Sequence, residues 1–290
     1  MSLFATGPTA TPFTLIRRAL AAAYRRAFGF GALIAAALAF DGALFLATGL
    51  PTPLGALAGL LTVTVTTRSV IEGRDVSVLE GLRMIWTRRT AILATTVGGI
   101  VVGIPLLLII GAAMAADPRA AAIVAAAGDR PLLGVIDWAL QIATDPLDSG
   151  AAQALLFLGV GLWSAVCVHF LFVWQFTMGE TRSGWAAMRA SIPLVMRGYR
   201  RLAIVGACWA LYAIPLLVVG YAGLITVAVG LYAPIMAGGE PALLFIAPGL
   251  LLMFATTPAL LLGGWYLLAQ LFVELRAQVD TETTASDVAA

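Results

Sequence analysis

The sequence predicts an all-α polytopic transmembrane bundle of about six spanning helices joined by amphipathic interfacial helices. Three observations predict it. Of the 290 residues, 61% are hydrophobic and 11% charged, where a soluble domain carries roughly 45–50% and about 25%. Several uncharged stretches reach the ~20 residues a helix needs to cross the hydrocarbon core. Between them stand segments in which arginines share a helical period with apolar residues, the pattern of helices lying in the interface.

Thr11-Pro12 places a capping hydroxyl before a proline at the first helical position. Phe13, Ile16, Leu20, Tyr24 and Ala27 then recur at helical spacing, with Arg18 and Arg25 elsewhere on the circumference. The apolar run after four arginines could pass for a secretory leader, but Asp41 interrupts it and no small-residue cleavage site follows, so an uncleaved first span from Phe28 to about Gly49 is expected. Pro51 and Pro53 turn the chain into a second span, Pro53 to Ile71, in which Gly55 and Gly59 have the small-xxx-small spacing of close helix contacts. Ser77 and Glu80 form a capping box that opens a second interfacial segment, running through Leu79, Leu82 and Trp86 to Arg88-Arg89. A third span follows from Thr90 to about Met114, with Gly99 and Gly103 at the same small-residue spacing.

Residues 115–150 carry Asp117, Asp129, Asp137, Asp145 and Asp148 against Arg119 and Arg130, and read as an external acidic loop with a surface helix after Pro131. A fourth span, Ala151 to Phe176, holds the only histidine, His169. After Glu180 a third amphipathic segment puts Trp185, Met188, Ile192, Val195 and Tyr199 on one face. From Leu202 to Val273 the one charged residue is Glu240. Pro215, Pro234, Pro241, Pro248 and Pro258 in this stretch predict broken or re-entrant helices around Gly238-Gly239-Glu240-Pro241. Residues 1–276 thus form a single transmembrane domain, and 277–290 a disordered cytoplasmic tail.

Ile104-Pro105-Leu106-Leu107 is echoed by Ile214-Pro215-Leu216-Leu217, each downstream of a paired arginine, Arg88-Arg89 and Arg200-Arg201. The echo points to two related halves, about 12–114 and 151–276; chance recurrence in so apolar a sequence is the alternative. All the basic residues are arginines, and with six spans all but Arg119 and Arg130 fall on one side. The positive-inside rule then puts both termini in the cytoplasm of a bacterial-type inner membrane.

Composition also removes chemistries. Without lysine there is no Schiff base and no phosphate-binding P-loop, and without asparagine no N-glycosylation acceptor. Cys167 and Cys208 lack the spacing of a disulfide framework or zinc site. No His-Glu-x-x-His or Gly-x-Ser-x-Gly occurs. Asp41-Gly42 is not continued into a CDP-alcohol phosphotransferase motif, and Ala126 breaks a Gly-x-Gly-Asp motif at Gly128-Asp129. No catalytic, cofactor-binding or metal-binding residue is expected, and no nucleic-acid partner. Asp41 is the candidate intramembrane polar site, since a carboxylate at membrane depth marks a path, relay or partner by default; a neutral carboxyl hydrogen-bonded inside the bundle is the other reading. Arg88, Arg89, Arg189, Arg197, Arg200 and Arg201 are candidate contacts to lipid headgroups, or signals of topology alone.

Three segments and the chain's end resemble the membrane domain of the glycerophosphoryl diester phosphodiesterase family. They are Leu15-Ile16-Arg17-Arg18-Ala19-Leu20 with Tyr24-Arg25-Arg26-Ala27-Phe28-Gly29, Gly73-Arg74-Asp75-Val76-Ser77-Val78-Leu79-Glu80-Gly81-Leu82, Glu180 with Gly184-Trp185-Ala186-Ala187-Met188-Arg189-Ala190-Ser191, Leu194 and Gly198, and Phe272-Val273-Glu274-Leu275-Arg276. Ala190 stands where that family usually has arginine. The resemblance implies a membrane-embedded architecture. It does not imply hydrolysis, which in that family belongs to a separate soluble barrel with paired histidines and metal-binding carboxylates, absent from this chain. The expected function is a non-catalytic inner-membrane protein engaging anionic lipids, a membrane partner or a second copy of itself through its interfacial arginines, in lipid handling or as an accessory subunit. The alternative is a small-solute or lipid transporter using Asp41 and the proline-rich final helices.

Overall fold

The computed structural model describes residues 10–48, 53–126, 128, 134–135, 138, 141–142, 149–180, 184–236 and 242–289. Among them every regular element is helical and no strand occurs. The protein is an all-α polytopic membrane bundle. Its helices are α1 (Pro12–Arg25), α2 (Ala32–Thr48), α3 (Pro53–Glu72), α4 (Val78–Thr87), α5 (Arg89–Ala115), α6 (Pro118–Ala126), α7 (Gly150–His169), α8 (Val173–Gly179), α9 (Trp185–Met236), α10 (Leu243–Pro258) and α11 (Gly264–Ala289). Among the described residues five stretches are long and apolar enough to cross a membrane: Leu54–Glu72, Arg89–Ala115, Gly150–Gly179, Trp185–Val227 and Leu243–Asp280. The first expected span is occupied by the 17-residue α2, preceded by a wide π turn at Ala27–Gly31.

Local chemistry sets the helix starts. Thr11 Oγ1 accepts from the Thr14 N–H at 3.3 Å with Pro12 at the first helical position. At α4 the capping box is reciprocal: the Glu80 N–H donates to Ser77 Oγ at 3.2 Å and the Ser77 N–H to Glu80 Oε2 at 2.8 Å, so two otherwise orphaned donors are satisfied.

Several expectations are corrected. The prolines do not break the final helices: α9 runs as one 52-residue helix through Pro215 and Pro234, and α10 continues through Pro248. Inside a membrane protein, neighbouring groups can re-satisfy the carbonyl a proline frees, and only after Pro258 does the ladder widen, into a π turn at Ala259–Gly263. The third interfacial segment is therefore the first part of α9 and not a separate element. Gly238-Gly239-Glu240-Pro241 lies outside the described residues, as do Asp129, Asp137, Asp145, Asp148, Arg130 and Pro131. The expected acidic loop opens as a helix, α6, and Asp117 is buried at its start, where it accepts from the Trp138 indole N–H at 2.8 Å and pairs with Arg119 at 3.3 Å. Residues 277–289 are helical and not disordered; no glycine or proline interrupts them, and Arg276 pairs with Asp280 one turn on at 3.6 Å.

The chain folds as two compact units, one of Met1–Ala36, Gly59–Trp86 and Met196–Ala290, the other of Ala37–Ala58 and Thr87–Val195. In the first, α1 packs on α11 and on the π turn before it. Its buried face is Leu15, Ile16, Ala19, Ala22 and Ala23, small enough for close approach, while Phe13 and Tyr24 stay largely exposed. Phe13 meets Tyr212 edge-on, and the Tyr24 hydroxyl donates to the Ala255 carbonyl at 2.7 Å. α4 rests on α3 through Gly81, where a Cβ would lie 2.7 Å from Val65 Cγ2. α9 and α10 cross with backbones in contact: a Cβ on Gly223 would meet the Gly249 carbonyl oxygen at 2.8 Å. In the second unit α5 packs along α7 and against α8, and Trp138, Ala120 and Ala152 form a small core under α6. The glycines expected to make close contacts mostly do not. Gly59 and Gly99 meet nothing within 4 Å, and Gly103 meets only Trp163, because in α3 and α5 these positions face away from the neighbouring described helices.

Candidate lipid-facing site

The first turns of α9 are pinned from three sides. Gly184 has φ +50°, a conformation that favours glycine, and its N–H donates to Thr95 Oγ1 at 3.0 Å. Thr95 Oγ1 also lies 3.0 Å from Thr177 Oγ1. Ser191 Oγ donates to the His169 carbonyl at 2.8 Å and accepts from the Phe172 N–H at 3.1 Å, closing the break between α7 and α8. Met188 fills the space above Gly98. With Ala187, Met188, Ser191, Leu194 and Val195 buried, the opposite side of this stretch is left outward. There Phe170, Trp185, Met188 and Ile192 line a shallow recess of about 210 Å³ with Arg189 at its edge. An apolar hollow bearing one guanidinium can take an acyl chain and an anionic headgroup together.

The six candidate arginines divide. Arg88 is committed internally: it donates to the Thr177 carbonyl at 2.9 Å and to the Met178 carbonyl, the last-turn acceptors of α8, where a cation also complements the helix dipole. Arg201 is committed too, to Glu274 at 2.9 Å and to the Ala10 carbonyl. Arg89, Arg189, Arg197 and Arg200 are exposed. Positions 189, 197 and 200 fall within about 80° of arc on α9 at 100° per residue, so three of the four share one helix face.

Exposed apolar groups accompany them. On α4, Leu79 and Trp86 are 77% and 70% exposed, so the apolar side of that interfacial helix is turned outward while Gly81 faces α3. Arg74 braces the turn before α4 by pairing with Glu72 at 2.8 Å and Glu80 at 3.0 Å. Hydrogen bonds from the Arg74 guanidinium, then from Ser77, hold the Glu80 carboxyl down at about 2, against an ordinary 4.5. Asp117 likewise lies below the usual carboxylate range: burial alone would raise it, but the Trp138 and Arg119 hydrogen bonds outweigh that.

Asp41 is half-buried on α2 with its carboxylate against Gly55, in the first turn of α3, where a negative charge complements the helix dipole. His169 Nδ1 is 2.7 Å from the carbonyl of Ala165 in its own helix. Among the described residues no three His, Cys, Asp or Glu side chains gather into a metal-binding group.

Comparison with protein-family models, curated proteins and solved structures returns no match. The reading of this protein rests on its own residues.

One polar feature escaped the sequence reading. Tyr266, Gln270 and Glu274 recur every four residues on α11 and are all buried. Tyr-x3-Gln-x3-Glu inside an otherwise apolar helix is a visible signal, but Glu274 enters the sequence reading only through the family resemblance. In the same unit Thr62, Thr64, Thr66, Thr67 and Ser69 of α3 are buried. Thr64 and Thr66 turn their hydroxyls to carbonyls one turn back at 2.7 Å, and Ser69 Oγ accepts from the Val76 N–H at 3.1 Å.

Proposed function

We propose that this multi-pass membrane protein is a non-catalytic inner-membrane protein that holds anionic phospholipids at its cytoplasmic face, with both termini on that side. The observation that carries the proposal is Arg189 at the edge of the recess formed by Phe170, Trp185, Met188 and Ile192. Arg197 and Arg200 on the same helix face extend the basic surface, and each basic residue near an anionic leaflet contributes ~1 kcal/mol. The outward Leu79 and Trp86 of α4 fit the same boundary between headgroups and chains. The likeness of the interfacial segments to the glycerophosphoryl diester phosphodiesterase membrane domain supports a lipid-side role without hydrolysis.

Native mass spectrometry from nanodiscs of mixed phosphatidylglycerol and phosphatidylethanolamine tests this reading. Wild type retains phosphatidylglycerol preferentially. A variant with Arg189→Gln, Arg197→Gln and Arg200→Gln loses that preference, while its melting temperature holds because none of the three makes the internal contacts of Arg88 or Arg201. Equal retention of phosphatidylglycerol by both proteins would make the arginines topology signals only.

A further inference from the structure

The buried stripe of α11 holds an inconsistency that a ligand resolves. Gln270 is 0% exposed, and neither its Oε1 nor its Nε2 has a protein partner. A carboxamide offers two donor hydrogens and a two-lone-pair acceptor, and burying such a group unpaired costs roughly 2–7 kcal/mol. Native buried polar groups are almost always satisfied, by protein or by ordered water. One turn before Gln270 stands the Tyr266 hydroxyl, directed at Ser69 and Arg26; one turn after it stands the Glu274 carboxylate, paired with Arg201. At ~1.5 Å rise per residue the three groups are about 6 Å apart along the helix, too far for direct contact and the right distance for one intervening molecule each.

The charges around the stripe fix what that molecule is. Glu274 is balanced by Arg201 at 2.9 Å, and Asp75, beside Tyr266, by Arg26 at 2.9 Å with Arg25 at 3.9 Å. No net negative field attracts a cation, and the carboxylate end repels an anion. The occupant has to be neutral, small, and able to donate and accept at once. Thr67 Oγ1 in α3 of the same unit is a further buried hydroxyl without a protein partner. We propose that α11 carries an internal water site centred on Gln270, in which bound water bridges the Gln270 carboxamide to the Tyr266 hydroxyl on one side and the Glu274 carboxylate on the other. The Arg26–Asp75 and Arg201–Glu274 pairs then belong to one continuous hydrogen-bonded line across the unit. This inference is independent of the lipid-holding reading, since none of the recess residues takes part.

Radiolytic hydroxyl-radical footprinting of the whole protein in detergent tests it, because radicals formed from bound water modify the side chains beside it whether or not bulk solvent reaches them. Tyr266, 0% exposed, is expected to be oxidised at a rate within about threefold of the surface residue Tyr199, 64% exposed, as internal water held by polar groups requires. In Gln270→Met, close in length and shape, Tyr266 labelling falls at least about fivefold while Tyr199 labelling is unchanged, and the melting temperature drops because the water loses its anchor. A Tyr266 unreactive in wild type overturns the proposal without any variant. So does a Gln270→Met protein that melts higher than wild type, since removing a dry, unpaired amide stabilises. If Gln270→Met fails to accumulate, the wild-type Tyr266 rate alone decides.

Discussion

Glu274 of α11 and Arg201 of α9 lie 2.9 Å apart, with the carboxylate side chain only 3% exposed and the guanidinium also bonded to the Ala10 carbonyl. One arginine thus fastens the start of the chain and its last helix to α9. Removing one partner of a buried pair strands the other charge, at about 3–5 kcal/mol. Arg201→Gln and Glu274→Gln should each lower the detergent melting temperature strongly, with the double variant less damaging than the two losses combined. Arg197→Gln and Arg200→Gln, exposed on the same helix, should leave it nearly unchanged.

The capping box predicts an effect of acid. Glu80 sits at about 2 in the folded protein against an ordinary 4.5, so its stabilisation is complete above the higher value and fades as pH falls toward the lower. Ser77→Ala removes one cap hydrogen bond, about 1 kcal/mol. Proteolysis at the Glu72–Ser77 turn, followed between pH 5 and 2, should accelerate as pH falls in wild type. Glu80→Gln should be more susceptible throughout and nearly flat over that range.

Gly81 is where α4 meets α3. Gly81→Val should force Leu61 and Val65 apart and cost about 1–3 kcal/mol by overpacking. Gly59→Ala and Gly99→Ala, which meet nothing within 4 Å, should be neutral or stabilising by thermal melts, which inverts the order the small-residue spacing implies.

Asp41→Asn should leave the fold intact and lower stability by under about 1 kcal/mol, the scale of a charge against a helix N-terminus. Gly55→Val, which drives a side chain into the Asp41 carboxylate, should cost more. A large loss for Asp41→Asn alone would mark Asp41 as ionised and committed to a partner whose charge is then stranded.

The proposed orientation is checked with single cysteines at Ala126 and Ala289 in a protein lacking Cys167 and Cys208. In intact cells an impermeant maleimide should label Ala126→Cys and not Ala289→Cys. Labelling of both from outside would reverse the placement of the C-terminus.

The sequence by itself determined the solvent and the helix starts. A chain 61% hydrophobic and 11% charged has to bury its backbone polar groups in helices once lipid surrounds it. Thr11-Pro12 and Ser77-x-x-Glu80 cap within three residues, so their chemistry is complete in one turn and readable in order. What only the tertiary structure decided is which residues of one type do which task. Arg88 and Arg201 look no different from Arg189 and Arg197 in the sequence, yet the first two reach acceptors 89 and 73 residues away, and the second two face outward. Gly81 and Gly198 pack closely, with a Cβ on Gly198 meeting Leu275 at 2.5 Å, while Gly59 and Gly99 meet nothing, because the facing helix and not the spacing sets the gap. Composition could see that prolines crowd the final third; whether a helix breaks there depends on neighbours that take up the freed carbonyls. Gln270 shows the same division: its spacing from Tyr266 and Glu274 is written in the sequence, but its burial comes from helices folded around it.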